Sequence, residues 1–299
     1  MSVVMMSLDV VFNFFLIFPT RPVQLFGAEV TIPGMGMGVV GAAIGTVSAE
    51  LVAASITMYI LCFRSKELSL RIDTGRFLPT WGVVKRALHI SLPMGLQQTI
   101  MCSAYVMTTI IIAPLGTFAI AANSFGVIVE SLCYMPGYGI ADAATTLVGQ
   151  SIGAGRHELM KRFAWLSVGL GVTVMAVMGV VMYVGAPVAM AMMTPAEEVR
   201  RLGVEVLRIE AFAEPMFAAA IVSYGVFVGA AKTLVPSIMN LVSIWGVRIS
   251  LAALLAPSMG LRGVWIAMCI ELCFRGFIFL VKLKFWNIQT SCNHYGKDQ

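Results

Sequence analysis

Long apolar runs alternate with short polar intervals along the whole chain. Several of these runs reach or exceed the roughly 20 residues that a helix needs to cross the hydrocarbon core of a bilayer. Because that core contains no water, each spanning segment must satisfy its own backbone hydrogen bonds, as an α-helix does. The pattern predicts an all-α membrane protein, a polytopic helical bundle. The eight predicted transmembrane helices are residues 3–18, 35–62, 87–113, 119–149, 163–186, 205–230, 234–256 and 262–283.

One polar interval is longer than the others and divides the chain unevenly. Residues 64–81 mix both signs of charge, and two predicted spans precede them while six follow. We therefore predict an N-terminal region at 1–62, a cytoplasmic linker at 63–86, a six-helix lobe at 87–284 and a cytoplasmic tail at 285–299.

A helix start is predicted at residues 194–197, where the sequence is TPAE. Thr194, Pro195 and Glu197 fit the N-cap, N1 and N3 positions of a capping box. The pattern predicts a helix that begins here and runs on into the span at 205–230.

Composition supports a membrane protein and argues against other classes. Of the 299 residues, 59% are hydrophobic and 12% are charged, whereas soluble domains carry about 25% charged residues. The formal charge of +5 does not indicate nucleic-acid binding, because the basic residues lie at span ends rather than on one soluble domain.

The distribution of lysine and arginine predicts the orientation in the membrane. With a cytoplasmic N-terminus, thirteen of the 20 basic residues lie in cytoplasmic loops or the tail, and four lie in outer loops. Cytoplasmic loops are enriched in these residues, so both termini are predicted to lie inside the cell. The four outer residues are Arg21, Arg200, Arg201 and Arg262.

The glycine-rich stretch GQSIGAGR, residues 149–156, resembles a phosphate-binding loop. Such a loop requires a preceding buried strand and a Lys-Ser or Lys-Thr pair at the start of a helix, and this stretch has neither. We predict a tight turn between two spans, in which Gln150 is the side chain able to face a cavity.

The sequence does not favour an enzyme. It contains no HEXXH motif, and its three histidines lie at span ends or in the tail. We therefore expect no catalytic residues, no metal site and no organic cofactor.

Several stretches, taken together, resemble the multidrug and toxic compound extrusion (MATE) family of drug/cation antiporters. They are LDVVFNFFLIF (8–18), MGVVGAAIGT (37–46), SLPMGLQQTI (91–100), YMPGYGIADAATTLVGQSIGAGR (134–156), VLRIEAFAEP (206–215), VPSIMNLVSIWGVR (235–248) and MGLRGVWIAMCIE (259–271). The resemblance covers nearly the entire chain. It implies the last two spans of an N-terminal lobe followed by a complete six-helix C-terminal lobe.

The same resemblance implies that four spans precede those present here, because members of this family have about twelve. A truncated open reading frame, a misplaced start codon and one half of a split protein are all consistent with this difference. A complementary N-terminal segment is therefore a candidate partner, beside the lipid bilayer.

The resemblance implies a cation-coupling site at Asp9 and Thr46. Members with a cation site in the N-terminal lobe keep an aspartate and a threonine at these places, and the carboxylate can hold a proton or a sodium ion. The family's asparagine four residues before the aspartate corresponds to Met5, and the acid of its first span precedes this sequence. The alternative for Asp9 is a structural packing pair, although an ionisable group within a span favours a functional role.

A sodium site in the six-helix lobe is not expected. Another branch of the family has acids there, and the corresponding positions are Met101 and Lys232, which cannot form such a site.

Four further polar residues are candidates for a substrate cavity, together with Gln150. Gln97 and Gln98 follow Pro93, where a loosened helix can present amides to a substrate, although hydrogen bonds between helices explain them equally well. Glu130 and Asp142 are twelve residues apart on one predicted helix and can share a side of it. For Asp142 the alternative is a cap at a helix kink.

Charged residues in the last three spans are predicted to form ion pairs. Glu271 and Arg275 have i,i+4 spacing, and Arg248 lies in the preceding span. A structural pair is one interpretation, and a proton relay through Glu271 is the other. Glu205, Arg208, Glu210 and Glu214 form a polar patch that is expected to contain neutralised pairs, with Glu205 and Arg208 at i,i+3.

The resemblance implies a secondary active multidrug exporter of a bacterial inner membrane, or a fragment of one. Its substrates would be small amphipathic, often cationic compounds, exchanged for protons or sodium ions. Two alternatives remain: a lipid-linked oligosaccharide flippase of similar fold, and a non-transporting membrane subunit that pairs with the missing spans.

Overall fold

The computed structural model describes residues 2–25, 28–64 and 80–286. Most of the predicted linker and most of the predicted tail lie outside the described residues. The chain forms two compact units, Met1–Pro79 (unit one) and Thr80–Gln299 (unit two). The division falls within the segment predicted as a linker, and the first helix of unit two begins inside that segment, at Trp81.

Unit one consists of two helices joined by a β-hairpin. Helix α1 covers Ser2–Ile17, and helix α2 covers Gly38–Tyr59 before a π-helical turn at Ile60–Arg64. Strands β1 (Pro19–Leu25) and β2 (Ala28–Met35) pair in antiparallel register. The hairpin occupies what the hydropathy pattern treated as an outer loop.

Helix α1 ends shortly before a proline. It covers Ser2–Ile17, and the residue before Pro19 is driven towards an extended conformation. Within the described residues, the segment predicted as a span at 3–18 is an apolar helix of 16 residues.

The two helices of unit one pack closely through small residues. Gly41, Gly45, Ala49 and Ala53 are spaced four apart and form the buried stripe of α2. A Cβ on Gly41 would lie 2.4 Å from the Leu16 carbonyl oxygen, so only glycine permits this approach of the two helices.

Unit two is a bundle of longer helices. Its elements are α3 (Trp81–Ile112), a 3-10 turn (Ala113–Leu115), α4 (Thr117–Gly153), α5 (His157–Met193), α6 (Glu197–Glu210), α7 (Glu214–Gly229), α8 (Leu234–Leu241), a π-helical segment (Val242–Ile249), α9 (Ser250–Met259) and α10 (Leu261–Lys284). Its buried core draws on residues of α4, α5, α6, α7, α9 and α10.

Within the described residues, six helices are long and apolar enough to cross a membrane. They are Gly38–Arg64, Trp81–Leu115, Thr117–Gly153, His157–Met193, Leu234–Met259 and Leu261–Lys284. A seventh span results if α6 and α7 together cross as one bent pair. The prediction of a polytopic helical bundle is confirmed.

The span predicted at 205–230 is not one continuous helix. Helices α6 and α7 are bent by 60° at the break between Glu210 and Glu214. Pro215 occupies the first turn of α7, and a proline inside a helix loses an N–H donor and clashes with the carbonyl four residues earlier. That carbonyl belongs to Ala211, so a continuous helix is disfavoured at this point.

The predicted capping box at 194–197 does not form. Helix α6 begins at Glu197 after Ala196, and no side chain caps its N-terminus. Thr194 closes the end of α5, and its hydroxyl accepts a hydrogen bond from the Ala196 N–H at 3.3 Å. The threonine and proline therefore shape the turn between α5 and α6 rather than the first turn of a helix.

The GQSIGAGR stretch forms the tight turn that its sequence predicts. Helix α4 ends at Gly153, Gly155 has a φ of +68°, and the Arg156 N–H donates to the Ser151 carbonyl at 2.9 Å. Residues 149–153 also fit the GxSxG pattern of a hydrolase nucleophile. Ser151, however, lies within a helix and donates to the Leu147 carbonyl at 2.7 Å, which is not the strand-to-helix turn that this chemistry needs.

Helix α7 packs against α4 backbone to backbone. A Cβ on Gly225 would lie 2.6 Å from the Ala141 carbonyl oxygen. The Thr145 hydroxyl of α4 lies 2.8 Å from the Gly225 carbonyl and hydrogen-bonds to it across the interface. Small residues and a hydroxyl thus bring these two helices together, as is common in membrane bundles.

This contact predicts a position-specific effect of an added methyl group. Gly225→Ala should lower the free energy of unfolding by about 1–3 kcal/mol, because the helices must separate to admit the Cβ. Gly169→Ala on α5 is the matched control, since no atom of another described helix lies within 4 Å of its Cβ position. Thermal unfolding of the purified variants measures both effects, and equal melting temperatures would contradict the packing argument.

Candidate functional sites

In unit one, a polar pair lies on an otherwise apolar helix. Asp9 and Asn13 are one turn apart on α1 and lie on the same side of it. Both are half-buried, and the Oδ1 atom of each is buried without a hydrogen-bond partner in the part of the chain that the structure describes. Asn13 Oδ1 faces α2, where it lies 2.4 Å from the position of a Cβ on Gly45.

Sequence reasoning selected Asp9 but missed Asn13. The family resemblance placed an asparagine four residues before the aspartate, where this sequence has Met5. Asn13 instead lies four residues after Asp9, on the same helix. The i,i+4 spacing of two polar residues on an apolar helix was the signal that could have identified the pair.

Thr46 is not joined to this pair by a hydrogen bond. It follows Gly45 on α2, but its side chain is exposed, and Asp9 Oδ1 has no partner among the described residues. Its predicted role beside the aspartate therefore stays a prediction.

Unit one also contains an apolar cavity between α1, the hairpin and α2. Its volume is about 530 Å³, and its lining residues include Phe12, Phe15, Leu16, Met35, Ile44 and Ser48. Such walls suit an apolar or aromatic ligand.

The polar residues predicted for a substrate cavity differ in their exposure. Gln98, Asp142 and Gln150 are exposed, whereas Gln97 is half-buried with its Oε1 atom unpartnered. Glu130 is buried, with 6% of its surface exposed. The burial of Glu130 and the exposure of Asp142 show that these two acids do not share one side of α4.

Unit two contains a cluster of ionisable side chains, here called the charged cluster, all of them buried except the half-buried Arg248. Its carboxylates are Glu130 on α4, Glu210 at the end of α6, Glu214 at the start of α7 and Glu271 on α10. Its guanidinium groups belong to Arg248 on the π-helical segment and Arg275 on α10. These groups interact electrostatically across the bundle.

Glu271 is the best-satisfied acid of the charged cluster. Arg275 Nε lies 3.1 Å from Glu271 Oε1, and Arg275 Nη2 donates to Glu271 Oε2 at 3.4 Å. The Ser243 hydroxyl also donates to Glu271 Oε1, at 2.6 Å. The guanidinium of Arg275 lies over the Phe217 ring, with Cζ 5.4 Å from its centroid, which adds a cation–π contact.

Arg248 does not join the ion pair directly. Its Nη2 atom lies 2.6 Å from the Met268 sulfur, and its Nε atom is buried without a hydrogen-bond partner within the described ranges. Arg248 and Arg275 are the cations that act on Glu130. The sequence analysis included both arginines but missed Ser243. A serine within an apolar run does not indicate which distant side chain it will hydrogen-bond to.

The polar patch predicted at residues 205–214 pairs differently in the structure. Glu205 forms its ion pair with Arg262, at 2.7 Å, and not with Arg208. The Arg208 guanidinium instead lies over the Tyr183 ring, at 5.3 Å from the centroid. Glu210 and Glu214, expected to be neutralised by pairing, have no hydrogen-bond partner for any carboxylate oxygen among the described residues.

A multi-pass helical bundle with a broken helix and buried charges is typical of membrane transporters. The family model described as MatE matches residues 93–254, which is more than half of the chain. The chain therefore belongs to the MatE family, whose members are transporters rather than enzymes, and the resemblance drawn from the sequence is confirmed.

The curated relatives that the chain matches are named as probable multidrug resistance proteins. The chain is 28% identical over 250 residues to the probable multidrug resistance protein NorM of Thermotoga maritima, covering 82% of this chain and 53% of that protein. It is 29% identical over 238 residues to the protein of the same name in Xylella fastidiosa, covering 79% and 50%. The chain spans about half the length of the curated relatives that it matches.

Solved structures share the fold at lower identity. One, described as an outward-facing multidrug resistance MATE family transporter of the MOP superfamily, aligns with a TM-score of 0.84 and 18% identity, covering 97% of this chain and 62% of that one. A MOP superfamily transporter from Pyrococcus furiosus gives 0.81 and 19%, covering 94% and 60%. At these identities the likeness concerns the fold alone.

The Glu271–Arg275 pair predicts an asymmetric response to mutation. Arg275→Met should lower the free energy of unfolding by about 3–5 kcal/mol, because it leaves the Glu271 carboxylate buried and unpaired. The double variant Glu271→Gln/Arg275→Met should lose much less, since neither charge remains. Denaturant unfolding of the purified chain measures these differences.

Arg200→Met is the control for this comparison. Its ion pair with Glu197 lies at the partly exposed start of α6, where such pairs contribute at most about 1 kcal/mol. A double variant as unstable as Arg275→Met would contradict the argument from an uncompensated charge.

Proposed function

We propose that this chain is all or part of a secondary active multidrug exporter. It moves small amphipathic, often cationic compounds outward in exchange for protons or sodium ions. Membership of the MatE family and the drug-resistance names of the relatives support this proposal. They favour it over a lipid-linked oligosaccharide flippase.

The observation that carries the proposal is the Oδ1 atom of Asp9, which is buried without a hydrogen-bond partner among the described residues. An ionisable group on a membrane helix is costly, so an unpaired one is by default a candidate for a functional role. The Asp9 carboxylate can hold a proton, or it can share a sodium ion with the amide oxygen of Asn13, which lies one turn away. Thr46 on α2 is the further oxygen ligand that the sequence proposes. Displacement of the cation from this site by a substrate would couple outward movement of the substrate to inward movement of the cation.

Several exposed polar groups are proposed to meet the substrate. Gln98, Asp142 and Gln150 present amide or carboxylate groups outside the buried core. A carboxylate such as Asp142 suits a cationic compound, and the amides suit its polar substituents. The flexible thioether chains of methionine provide adaptable apolar contacts for differing substrates.

A complementary N-terminal segment is proposed as a partner. Alternating access requires one group of helices to move against another around a binding site. The chain spans about half of its relatives, and unit one has two helices whereas unit two has the larger bundle. Export would then require the remaining helices, supplied as a separate or continuous chain.

Dye export tests the function and the coupling site together. Cells that express the chain with a complementary four-span segment should accumulate less of a cationic dye than cells with an empty vector. Asp9→Asn should restore the full accumulation, because an amide cannot exchange a proton or balance a cation's charge. Fluorescence of the loaded cells measures the effect.

Glu50→Gln is the matched control for Asp9→Asn. Glu50 also lies in unit one, but it is exposed on α2, so its loss should leave export unchanged. Unaltered dye levels with correctly inserted wild-type chain would remove the export proposal and favour a non-transporting subunit. Full export by Asp9→Asn would remove the coupling role only.

The bacterial inner membrane is the proposed location, with both termini in the cytoplasm. Cysteine labelling in a background without the native cysteines tests this orientation. Pro195→Cys, in the turn between α5 and α6, should react with a membrane-impermeant maleimide in intact cells. Glu158→Cys, at the start of α5, should react only after permeabilisation, and the opposite pattern would reverse the proposed topology.

A further inference from the structure

The charged cluster of unit two holds more acids than cations. Four glutamates, Glu130, Glu210, Glu214 and Glu271, share it with two arginines, Arg248 and Arg275. With every group ionised, the cluster would carry an excess of two negative charges. Such an excess is very costly in a low-dielectric interior, and buried carboxyl groups usually avoid it by becoming neutral.

The ion pair of Arg275 balances one of the four acids directly. Glu271 has its ion pair with Arg275 and a hydrogen bond from Ser243. Glu130 is buried, and the fields of Arg248 and Arg275 oppose the cost of that burial. One further guanidinium charge, that of Arg248, then remains for Glu130, Glu210 and Glu214 together.

Glu210 and Glu214 are the least satisfied acids of the charged cluster. Each is 1% exposed, and all four of their carboxylate oxygens are buried without a hydrogen-bond partner among the described residues. A proton on each would remove both the excess charge and the cost of burying it. We propose that Glu210 and Glu214 form a proton-binding site at the break between α6 and α7, with one proton on each carboxyl group at neutral pH.

The helix break positions the two carboxyl groups differently. Glu210 is the last residue of α6, where the partial negative charge of a helix C-terminus disfavours an anion. Glu214 begins α7, where free N–H groups favour an anion. Glu210 is thus the tighter holder of a proton, and Glu214 is the group that ionises more readily.

Among the described residues, Arg248 is the cation that acts on Glu210, and a single guanidinium cannot balance Glu130, Glu210 and Glu214 together. Helix α4 presents Glu130, Cys133 and Tyr134, and α10 presents Cys269, Glu271 and Cys273. The π-helical segment presents Arg248, whose charge Glu130 shares. Helix α5 contributes Gly179, which lies against Ala211 and Glu214 and has no charge to offer.

The geometry favours protons over a metal ion. No group of three or more His, Cys, Asp or Glu side chains in the described ranges is arranged to hold a metal. A proton needs only one carboxyl oxygen, and the protonated group gains an O–H donor. The site lies in unit two and does not involve Asp9, so it stands whether or not the chain exports drugs.

Infrared spectroscopy of the full chain in lipid nanodiscs tests the site directly. At neutral pH the wild-type chain should show the C=O stretching band of buried protonated carboxyl groups, shifted in deuterated buffer. In an Asp9→Asn background, which removes the other carboxyl group proposed to hold a proton, the double variant Glu210→Gln/Glu214→Gln should lose this band. Each single variant in that background should lose roughly half of it, because each acid holds one of the two protons. Glu198→Gln is the matched control, since Glu198 is an exposed residue of the same helix, α6, and should leave the band unchanged.

Two results would overturn the proposal. Absence of the band in the wild-type chain would mean that both acids are ionised. A band that persists in the double variant would place the protons on Glu130 or Glu271. The single variants decide the question if the double variant does not fold.

The pH dependence of stability provides a second readout. Glutamine resembles a protonated glutamate in size and charge, so the double variant should fold at neutral pH. The wild-type chain should lose thermal stability between neutral and alkaline pH as the buried acids ionise, whereas the double variant should not. Parallel losses in both chains would contradict the site, and this result is separate from any failure of dye export.

Discussion

The cost of removing charged groups from water is the constraint on which the interior of unit two depends. Three contacts offset this cost for the Arg275–Glu271 pair. The two side chains form an ion pair, the Ser243 hydroxyl donates to Glu271, and the Phe217 ring lies beneath the Arg275 guanidinium. At Glu210 and Glu214, which have no hydrogen-bond partner among the described residues, the same cost points to bound protons.

Close backbone packing allows these groups to come together. Helix α7 approaches α4 at Gly225 without any intervening side chain, and Thr145 bonds across the contact. The break before α7 then places Glu210 and Glu214 among groups from α4, α10 and the π-helical segment. The packing of α7 against α4 therefore also determines which charged groups lie near each other in unit two.

In unit one, close packing of two helices likewise positions polar side chains. A stripe of glycine and alanine brings α2 against α1, and Asn13 meets Gly45 where a larger residue could not fit. Asp9 lies one turn away, and its Oδ1 atom has no hydrogen-bond partner in the described part of the chain. The site proposed for cation coupling is thus built mainly from one helix, and α2 closes its side.

The sequence by itself determined the class of protein, because long apolar runs in a chain with few charges can satisfy their backbone only as membrane helices. Its motifs also determined the family, and the glycine at position 155 determined the turn between α4 and α5. The tertiary structure decided which side chains form ion pairs and hydrogen bonds with each other. Glu205 bonds to Arg262, 57 residues away, rather than to Arg208 one turn along, and Ser243 meets Glu271 from another helix. The sequence analysis predicted a single span at 205–230, and only the fold showed that this segment breaks before Pro215 and that acids flank the break deep in the bundle. Hydropathy depends on each residue alone, whereas pairing and burial depend on which helices pack together.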